Sequence, residues 1–277
     1  MRFGVSYSTA GNGMNPDRLL RFAQHAEACG FESFYVPEHL VLYPGAQVYG
    51  NELPADLEFA DPLDLLTFVA AATHRIVLGT AVLLLPYRHP IVLAKRLATI
   101  DALSRGRMRL LTIGLGSLPG EAEAMGVDFA TRGRRADESI DALRQLWGGD
   151  AEFNGVVVRS YPKPFNGDVL PIHVAGSSAP AARRAGKRGD GYFPGGALTP
   201  TDRAAQWELV RSTAAANGRD PDALEYTRWG SINAGPSQVE VLAAEGVTRL
   251  VVNAFGDTLD EQLDQLSAFA SRHKLAT

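Results

Sequence analysis

Short runs of apolar and β-branched residues alternate with stretches of helical periodicity along the 277 residues of this chain. Eight of these runs are predicted strands, and most are continuously apolar, as in parallel strands that are covered on both faces. They span residues 2–6, 33–36, 76–83, 108–113, 172–175, 191–193, 226–232 and 249–253. Eight strands that are each followed by a helix predict an α/β protein with a (β/α)8, or TIM, barrel, which needs roughly 250 residues. We therefore expect one domain over residues 1–277.

A recurrent start signal marks the predicted helices: a side chain that can cap a helix stands beside a proline. The signal occurs at Asn15-Pro16-Asp17, Asp61-Pro62, Ser178-Ala179-Pro180 and Thr199-Pro200, and Pro90 and Pro236 are further candidates. The capping oxygen accepts a hydrogen bond from a backbone N–H of the first turn, and proline is tolerated there because it has no N–H to satisfy. These positions predict where six helices begin.

The longest connection separates the fourth and fifth predicted strands. About 58 residues lie between Ile113 and Ile172, and they include a predicted helix at residues 136–147 and a predicted hairpin at residues 152–159. The loop at residues 39–60, after the second strand, is also long. Connections that follow barrel strands lie at the carboxyl-terminal face, where barrel enzymes place their active sites. We therefore expect the largest insertion at that face, and the loop at residues 39–60 is a candidate lid.

Charge and composition disfavour several classes of function. A net charge of −4 and an isoelectric point of about 5.9 argue against a nucleic-acid surface. Cys29 is the only cysteine, so no intramolecular disulfide is expected and a reducing cytoplasm is the simplest location. The most apolar stretch, residues 76–86, is much shorter than a membrane-spanning helix, and residues 1–7 do not resemble a signal peptide. No His, Cys and carboxylate residues have the spacing of metal ligands, so no metal site is predicted.

One histidine stands where barrel enzymes place catalytic groups. Glu38 and His39 come directly after the second predicted strand, and histidine can exchange a proton near neutral pH. A hydrogen-bonded loop histidine is the alternative. His25, His74 and His273 fall on predicted helices or their ends and are expected to be structural or on the surface, and His173 lies within the fifth strand.

Small residues at the ends of several strands would let a ligand approach the backbone closely. They are Thr80-Ala81 in the third strand, Gly114-Leu115-Gly116-Ser117 after the fourth, Gly176-Ser177-Ser178 after the fifth and Gly195 after the sixth. Backbone N–H groups at the start of the helix that follows Ser178 suit a phosphate. Ordinary core packing, a need for positive φ and a simple N-cap are the alternative explanations.

Together these segments resemble the bacterial luciferase-like flavin and deazaflavin oxidoreductases. The resemblance rests on GFESFYVPEH at residues 30–39, HRIVLGTAVLLLPYRHPIVLAKRLATIDALSRGRMRL at residues 74–110, GLG at residues 114–116, and PIHVAGSSAPAARRAGKRGDGYFPG at residues 171–195. The motifs occur in the family's order over residues 3–196. Their form is most similar to the branch that uses coenzyme F420, a deazaflavin common in actinobacteria.

The resemblance implies where a cofactor binds. In the family the ring lies at the carboxyl-terminal mouth of the barrel, against a bulge in the third strand that often contains a non-prolyl cis peptide, and this bulge maps to Thr80-Ala81. The loop after the fifth strand holds the phosphate. The implied cofactor-binding residues are Thr80, Ala81, Gly114, Gly116, Ser117, Gly176, Ser177, Ser178 and Gly195.

The resemblance also implies catalytic positions. His39 matches the family position that faces the reactive part of the ring, and Glu38 matches the adjacent acidic position. One position departs from the related sugar-phosphate dehydrogenases, in which an acidic glutamate follows the second glycine of the loop after the fourth strand. Here Ser117 occupies that position, and the nearest acids are Glu121 and Glu123. This departure argues against oxidation of sugar phosphates.

The expected function is that of an F420-dependent oxidoreductase, which transfers hydride between C5 of the cofactor and a small organic substrate while His39 donates or accepts a proton. The first alternative is an FMN-dependent monooxygenase that uses O2 and a partner reductase, and the second is a barrel that binds a ligand without turnover.

The nature of the substrate and the assembly are less constrained. Tyr7, Tyr43, Tyr49 and Phe59 lie in or near loops that could face the pocket, and they would favour an apolar or planar substrate. By analogy with the family we expect a homodimer.

Overall fold

The computed structural model describes residues 1–48, 50–167, 169–196 and 198–276. Its eight parallel strands form a closed barrel in which each strand pairs with its predecessor, and the last pairs with the first. The barrel strands are β1 (Arg2–Ser6), β2 (Ser33–Val36), β5 (Val77–Leu84), β6 (Leu110–Gly114), β9 (Ile172–Ala175), β10 (Gly191–Phe193), β11 (Glu225–Ser231) and β12 (Arg249–Asn253). The predicted (β/α)8 barrel is therefore confirmed, and the strand bounds differ from the prediction by at most two residues.

Two antiparallel hairpins lie in the long connections. The first joins β3 (Gln47–Val48) to β4 (Asn51–Glu52), and the second joins β7 (Asp150–Phe153) to β8 (Val156–Arg159). The second belongs to the largest insertion, between β6 and β9, as the sequence predicts.

Six of the helices in the described residues begin at the predicted start signals, namely α2, α3, α4, α7, α8 and α9 in the numbering that follows. They are α1 (Thr9–Asn12), α2 (Pro16–Ala28), α3 (Pro62–Ala72), α4 (Pro90–Leu103), α5 (Pro119–Ala124), α6 (Arg132–Gly148), α7 (Ala179–Arg188), α8 (Pro200–Ala216), α9 (Pro236–Ala244) and α10 (Leu259–His273). Asn15, Asp61, Ser178 and Thr199 each accept a hydrogen bond from a first-turn N–H. The helix predicted at residues 136–147 begins one turn earlier, at Arg132. No helix of the described residues is long and apolar enough to cross a membrane.

Successive side chains of a barrel strand point alternately outward and inward, so one core lies between the strands and the helices and a second lies inside the barrel. In β11, Tyr226 points outward and stacks on Trp207 of α8 at 4.4 Å, whereas Trp229 points inward. Trp229 packs there against Phe193 of β10, with ring centroids 4.9 Å apart. The interior is thus filled by side chains, and Trp229 and Ala81 lie at its half-exposed edge.

Ion pairs around the buried Arg249 lie at the amino-terminal end of the barrel. Arg249, whose side chain is 1% exposed, donates to both carboxylate oxygens of Glu32 at 2.9 and 2.8 Å and also pairs with Glu225. The imidazole of His173 lies beside Glu225, and burial lowers the pKa of His173 to about 4. In barrels of this type, residues at the amino-terminal face usually serve stability.

Candidate active site

His39 is held at the mouth of the barrel by a carboxylate from a distant element. It follows the end of β2 by three positions, and its Nδ1 lies 3.2 Å from Oε2 of Glu121 in α5. The other oxygen of Glu121 accepts hydrogen bonds from the backbone N–H groups of Leu40, at 2.7 Å, and Val41, at 3.4 Å. The Glu121 side chain is fully buried, whereas that of His39 is 17% exposed.

This contact determines which nitrogen of His39 is free. An ionised carboxylate only accepts hydrogen bonds, so with Glu121 ionised the tautomer that fits this contact carries its proton on Nδ1. Within the described part of the chain, Nε2 of His39 makes no hydrogen bond. The ring of Phe59 packs edge-on against the imidazole at 4.9 Å and restricts its orientation further. The ring is therefore oriented with a free nitrogen, as a proton donor or acceptor requires.

Glu38 faces a different environment from His39. Its buried carboxylate accepts a hydrogen bond from the backbone N–H of Leu84 at 2.5 Å and pairs with Arg88. Burial raises the pKa of Glu38, and Arg88 opposes that effect. Arg88 also pairs with Asp61, the N-cap of α3, at 2.9 Å. Glu38 therefore links β2 to the end of β5, and its contacts are those of a structural anchor beside His39.

The end of β5 carries the expected irregularity. The pairing register of β5 with β6 shifts between Ala81 and Leu83, and the peptide bond between Ala81 and Val82 is cis. The irregularity was predicted at Thr80-Ala81, and the structure places it one position later along the chain. Thr80 is fully buried, and its hydroxyl donates to the carbonyl of Thr112 in β6 at 2.8 Å. Of the two predicted residues, Ala81 is the one at the barrel interior.

The glycines after β6 make room for side chains. A Cβ on Gly114 would lie 2.5 Å from Cγ2 of Val82, and one on Gly116 would collide with the hydroxyl of Tyr87. Gly116 also has φ +80°, which favours glycine. Ser117 follows as an exposed residue. Local packing therefore explains both glycines.

The loop after β9 is anchored through its carbonyl groups. The Gly176 carbonyl accepts from the hydroxyl of Tyr192 at 2.8 Å, and the Ser177 carbonyl accepts from Nε2 of Gln206 at 2.5 Å. The hydroxyl of Ser178 caps α7 by accepting from Ala181 N at 3.3 Å. The loop therefore presents two serines at the positive end of a helix. Gly195 lies half-buried after the neighbouring strand β10.

The aromatic residues suggested for the substrate pocket separate in the structure. Phe59 contacts His39, and the Tyr43 hydroxyl accepts a hydrogen bond from the N–H of Gly120 in α5. Tyr7 lies outside the barrel, against Phe22 of α2. Tyr49 lies outside the described residues.

Of the other histidines, His25 and His273 have hydrogen-bonded, structural surroundings. Nε2 of His25 is 2.8 Å from the Ser267 hydroxyl, and Nε2 of His273 is 2.9 Å from the Ala234 carbonyl. His74 is exposed. Among the residues described, no three His, Cys, Asp or Glu side chains group closely enough to hold a metal ion.

Two residues at the mouth, Trp229 and Glu121, were not predicted as site residues from the sequence. Strand alternation could have indicated Trp229, because residues 227, 229 and 231 share the face of β11 opposite to Tyr226. Glu121 was noted only as a nearby acid. It is 82 positions from His39, and no local pattern indicates that α5 folds over the mouth.

These features agree with a comparison against known families. The luciferase-like monooxygenase model matches residues 1–266. The chain belongs to this family. It is 30% identical over 243 residues to 4-hydroxyprotoasukamycin monooxygenase of Streptomyces nodosus subsp. asukaensis, covering 83% of this chain and 62% of that protein. It is also 30% identical over 199 residues to the F420-dependent glucose-6-phosphate dehydrogenase of Amycolatopsis mediterranei, covering 68% of this chain and 56% of that protein. The matched part is therefore less than two thirds of either relative.

Solved structures share the fold of this luciferase-like protein. A monooxygenase, RslO1, from Streptomyces bottropensis has a TM-score of 0.77 at 23% identity and 98% coverage of both chains. An F420-dependent secondary alcohol dehydrogenase bound to an F420-acetone adduct has a TM-score of 0.77 at 15% identity, covering 100% of this chain and 99% of that chain. The oxygenating constituent of 3,6-diketocamphane monooxygenase from Pseudomonas putida, bound to FMN, has a TM-score of 0.65 at 19% identity, with 89% and 71% coverage. The relatives thus include an F420-dependent enzyme, and the structural neighbours include one F420-dependent and one FMN-bound enzyme. The resemblance to the luciferase-like family that was inferred from the motifs is confirmed.

Proposed function

We propose that this luciferase-like protein is an F420-dependent oxidoreductase acting on a small organic substrate, with His39 as the proton donor or acceptor. The observation that carries the proposal is the pair formed by His39 and the buried Glu121 at the mouth of the barrel. F420 supplies a hydride carrier at its C5 when it is bound.

The residues at the mouth fit a flat cofactor with a phosphate. Ala81 is small and half-buried, and it packs beside Trp229 at the open edge of the barrel interior. A ring could lie against this surface without meeting a large side chain from β5. Ser177 and Ser178 stand at the amino terminus of α7, where the helix dipole and free N–H groups favour an anion.

In this proposal His39 moves the proton and Glu121 positions His39. The carboxylate holds Nδ1–H, so Nε2 is the nitrogen that takes a proton from the substrate or returns one. The negative charge of Glu121 also stabilises the imidazolium that forms when Nε2 is protonated. A proton donor in this position typically contributes about 10²- to 10⁴-fold in rate.

An FMN-dependent monooxygenase fed by a partner reductase is the second candidate. It is favoured by the 30% identity to a monooxygenase and by the FMN-bound structural neighbour. The phosphate and ring sites would be shared, and oxygen would be consumed. A barrel that binds its ligand without turnover is the third candidate.

Parallel titrations with oxidised F420 and with FMN test the proposal. We expect F420 to bind at least about tenfold more tightly than FMN, which corresponds to about 1.4 kcal/mol. The His39→Ala variant is the matched control, and it should keep the affinity for F420 while losing turnover. Tighter binding of FMN, with oxygen uptake when reduced FMN is added, would favour the monooxygenase. Binding of neither cofactor would remove the basis for a redox function.

We further propose that the chain acts as one domain in a cytoplasmic homodimer. The single cysteine suits a reducing compartment, and the dimer is an analogy with the family. Sedimentation equilibrium should give twice the 29.7 kDa mass of the chain, and the monomer mass would refute the dimer.

A further inference from the structure

A cavity of about 390 Å³ lies outside the barrel, between the amino-terminal ends of α2 and α3. Its walls are mostly apolar and include Leu19 from α2 and Leu65 from α3. Two large apolar side chains at its rim are exposed, Met14 by 62% and Phe68 by 44%. Pockets of roughly 300–1,000 Å³ with apolar walls and a few polar groups are typical of small-molecule sites.

Tyr7 provides the polar group of this cavity. It lines the cavity, is 1% exposed, and its hydroxyl has no hydrogen-bond partner among the residues described. Burial raises the pKa of Tyr7, so the hydroxyl is neutral and can both donate and accept a hydrogen bond. Buried hydroxyl groups in proteins are nearly always paired, so this one requires an explanation.

The charges at the rim argue for a neutral occupant. Asp61 and Asp64 line the cavity, and both pair with Arg96 of α4. Burial alone would raise the pKa of Asp61, but Arg88 and Arg96 hold it below its usual value. Arg88 is shared with Glu38, so the two arginines compensate the carboxylates only in part, and the negative charge that is left disfavours an anionic occupant.

We propose that this cavity binds a compact neutral molecule of one or two apolar rings that carries one hydroxyl or carbonyl group. The polar group would bond to the Tyr7 hydroxyl, and the rings would pack on Leu19, Leu65 and Phe68. An apolar cavity of about 150 Å³ holds benzene, so a cavity of this size accommodates two fused rings. The site is distinct from the mouth, because Tyr7 points outward from β1 into the layer of α2.

The wall of this cavity is connected to His39. Ala60 lines the cavity, and its N–H donates to the Thr9 hydroxyl, which in turn donates to the carbonyl of Glu58. Phe59, between these two residues, packs against the imidazole of His39. A bound molecule would therefore touch the segment that holds Phe59 against His39.

Methyl NMR of the full chain, without cofactor, tests the site with 2-naphthol as the probe and naphthalene as its partner without a hydroxyl. The chain has four methionines, of which Met14 lines the cavity and Met108 is in the core. We expect 2-naphthol to shift the Met14 methyl resonance saturably and to leave that of Met108 in place. Tyr7→Phe should weaken 2-naphthol binding roughly two- to tenfold, the value of one hydrogen bond, and leave naphthalene binding unchanged.

Three further variants, one of them a control, locate the bound probe. Ala60→Phe should fill the cavity and abolish binding of both probes. Phe68→Glu introduces a charge at an exposed rim position and should weaken both probes. Val157→Glu introduces the same charge at an exposed position on β8, away from the cavity, and should not. The proposal is overturned if Met14 does not respond, if Tyr7→Phe leaves 2-naphthol affinity unchanged, or if Phe68→Glu has no effect. It is also overturned if the Met14 methyl resonance shifts on dilution of the protein and not on addition of 2-naphthol. That result would mean that a second copy of the chain covers the cavity.

Discussion

Nδ1 of His39 lies 3.2 Å from the carboxylate of Glu121, although the two residues are 82 positions apart in the chain. The pair joins the loop after β2 to the short helix α5 in the largest insertion. Glu121 also accepts hydrogen bonds from the backbone N–H groups of Leu40 and Val41. The same carboxylate therefore fixes the loop that carries His39. A histidine held in this way keeps one tautomer and one orientation.

Glu121→Gln should lower turnover by about 10- to 100-fold while cofactor affinity changes less than about twofold. The amide oxygen can still accept the N–H of Leu40, but the negative charge that stabilises protonated His39 is lost. Steady-state kinetics and cofactor titration measure the two effects separately. Glu123→Gln, two positions away and exposed, is the matched control and should have no effect.

The role of Glu121 can be separated from general destabilisation by a double-mutant cycle. If Glu121 acts through His39, Glu121→Gln should add little to the loss already caused by His39→Ala. Equal losses in both backgrounds would show that Glu121 acts independently of His39.

Replacement of both Ser177 and Ser178 by alanine should weaken cofactor binding by about tenfold or more, because two hydroxyl donors near the phosphate are lost. The Ser178 change also removes the N-cap of α7, which costs about 1 kcal/mol of stability. Thr258→Ala removes the N-cap of α10 and controls for this loss. It should reduce stability similarly without changing cofactor affinity, and unaltered affinity in the double serine variant would move the phosphate elsewhere.

Gly114→Ala should destabilise the protein by about 1–3 kcal/mol, since its Cβ would lie 2.5 Å from Cγ2 of Val82. Val82→Ala removes that methyl group, so the glycine substitution should cost much less in the Val82→Ala background. Urea unfolding of the four proteins measures the coupling. Additive losses would mean that Gly114 is required for another reason, such as an approaching ligand.

Stability should fall as the pH drops from about 6.5 toward 4, because His173 is buried as the neutral imidazole. Its pKa is about 4 in the folded protein against 6.5 in the unfolded chain, so in this range the unfolded chain binds the extra proton. The loss approaches about 3 kcal/mol at the acid end of the range and is absent above pH 6.5. Urea unfolding at a series of pH values measures it. His173→Gln should flatten the dependence in this range, and an unchanged slope would assign it to other groups.

The comparison of Glu38 with Glu121 shows how far the sequence could predict the site. Glu38 and His39 were predicted together as candidate catalytic residues, but successive residues of an extended segment point to opposite sides. Glu38 therefore turns into the protein and meets Arg88, while His39 faces the mouth. The true partner of His39 comes from an insertion whose path over the mouth depends on contacts that no local pattern reveals.

By itself, the sequence determined the barrel, because continuous apolar runs and proline-marked helix starts are local patterns that act within a few residues. The long connection after the fourth strand followed from the spacing of those runs. The sequence also placed His39, Ala81 and the serines after β9 at the carboxyl ends of strands, which the topology brings to one face. Only the tertiary structure decided which groups meet there: the side chains of Glu121 and His39, the Val82 side chain and the Gly114 backbone, and the Gln206 side chain and the Ser177 carbonyl. These contacts depend on the packing of insertions and helices that are remote in sequence, and a contact between distant residues leaves no periodic trace in either segment.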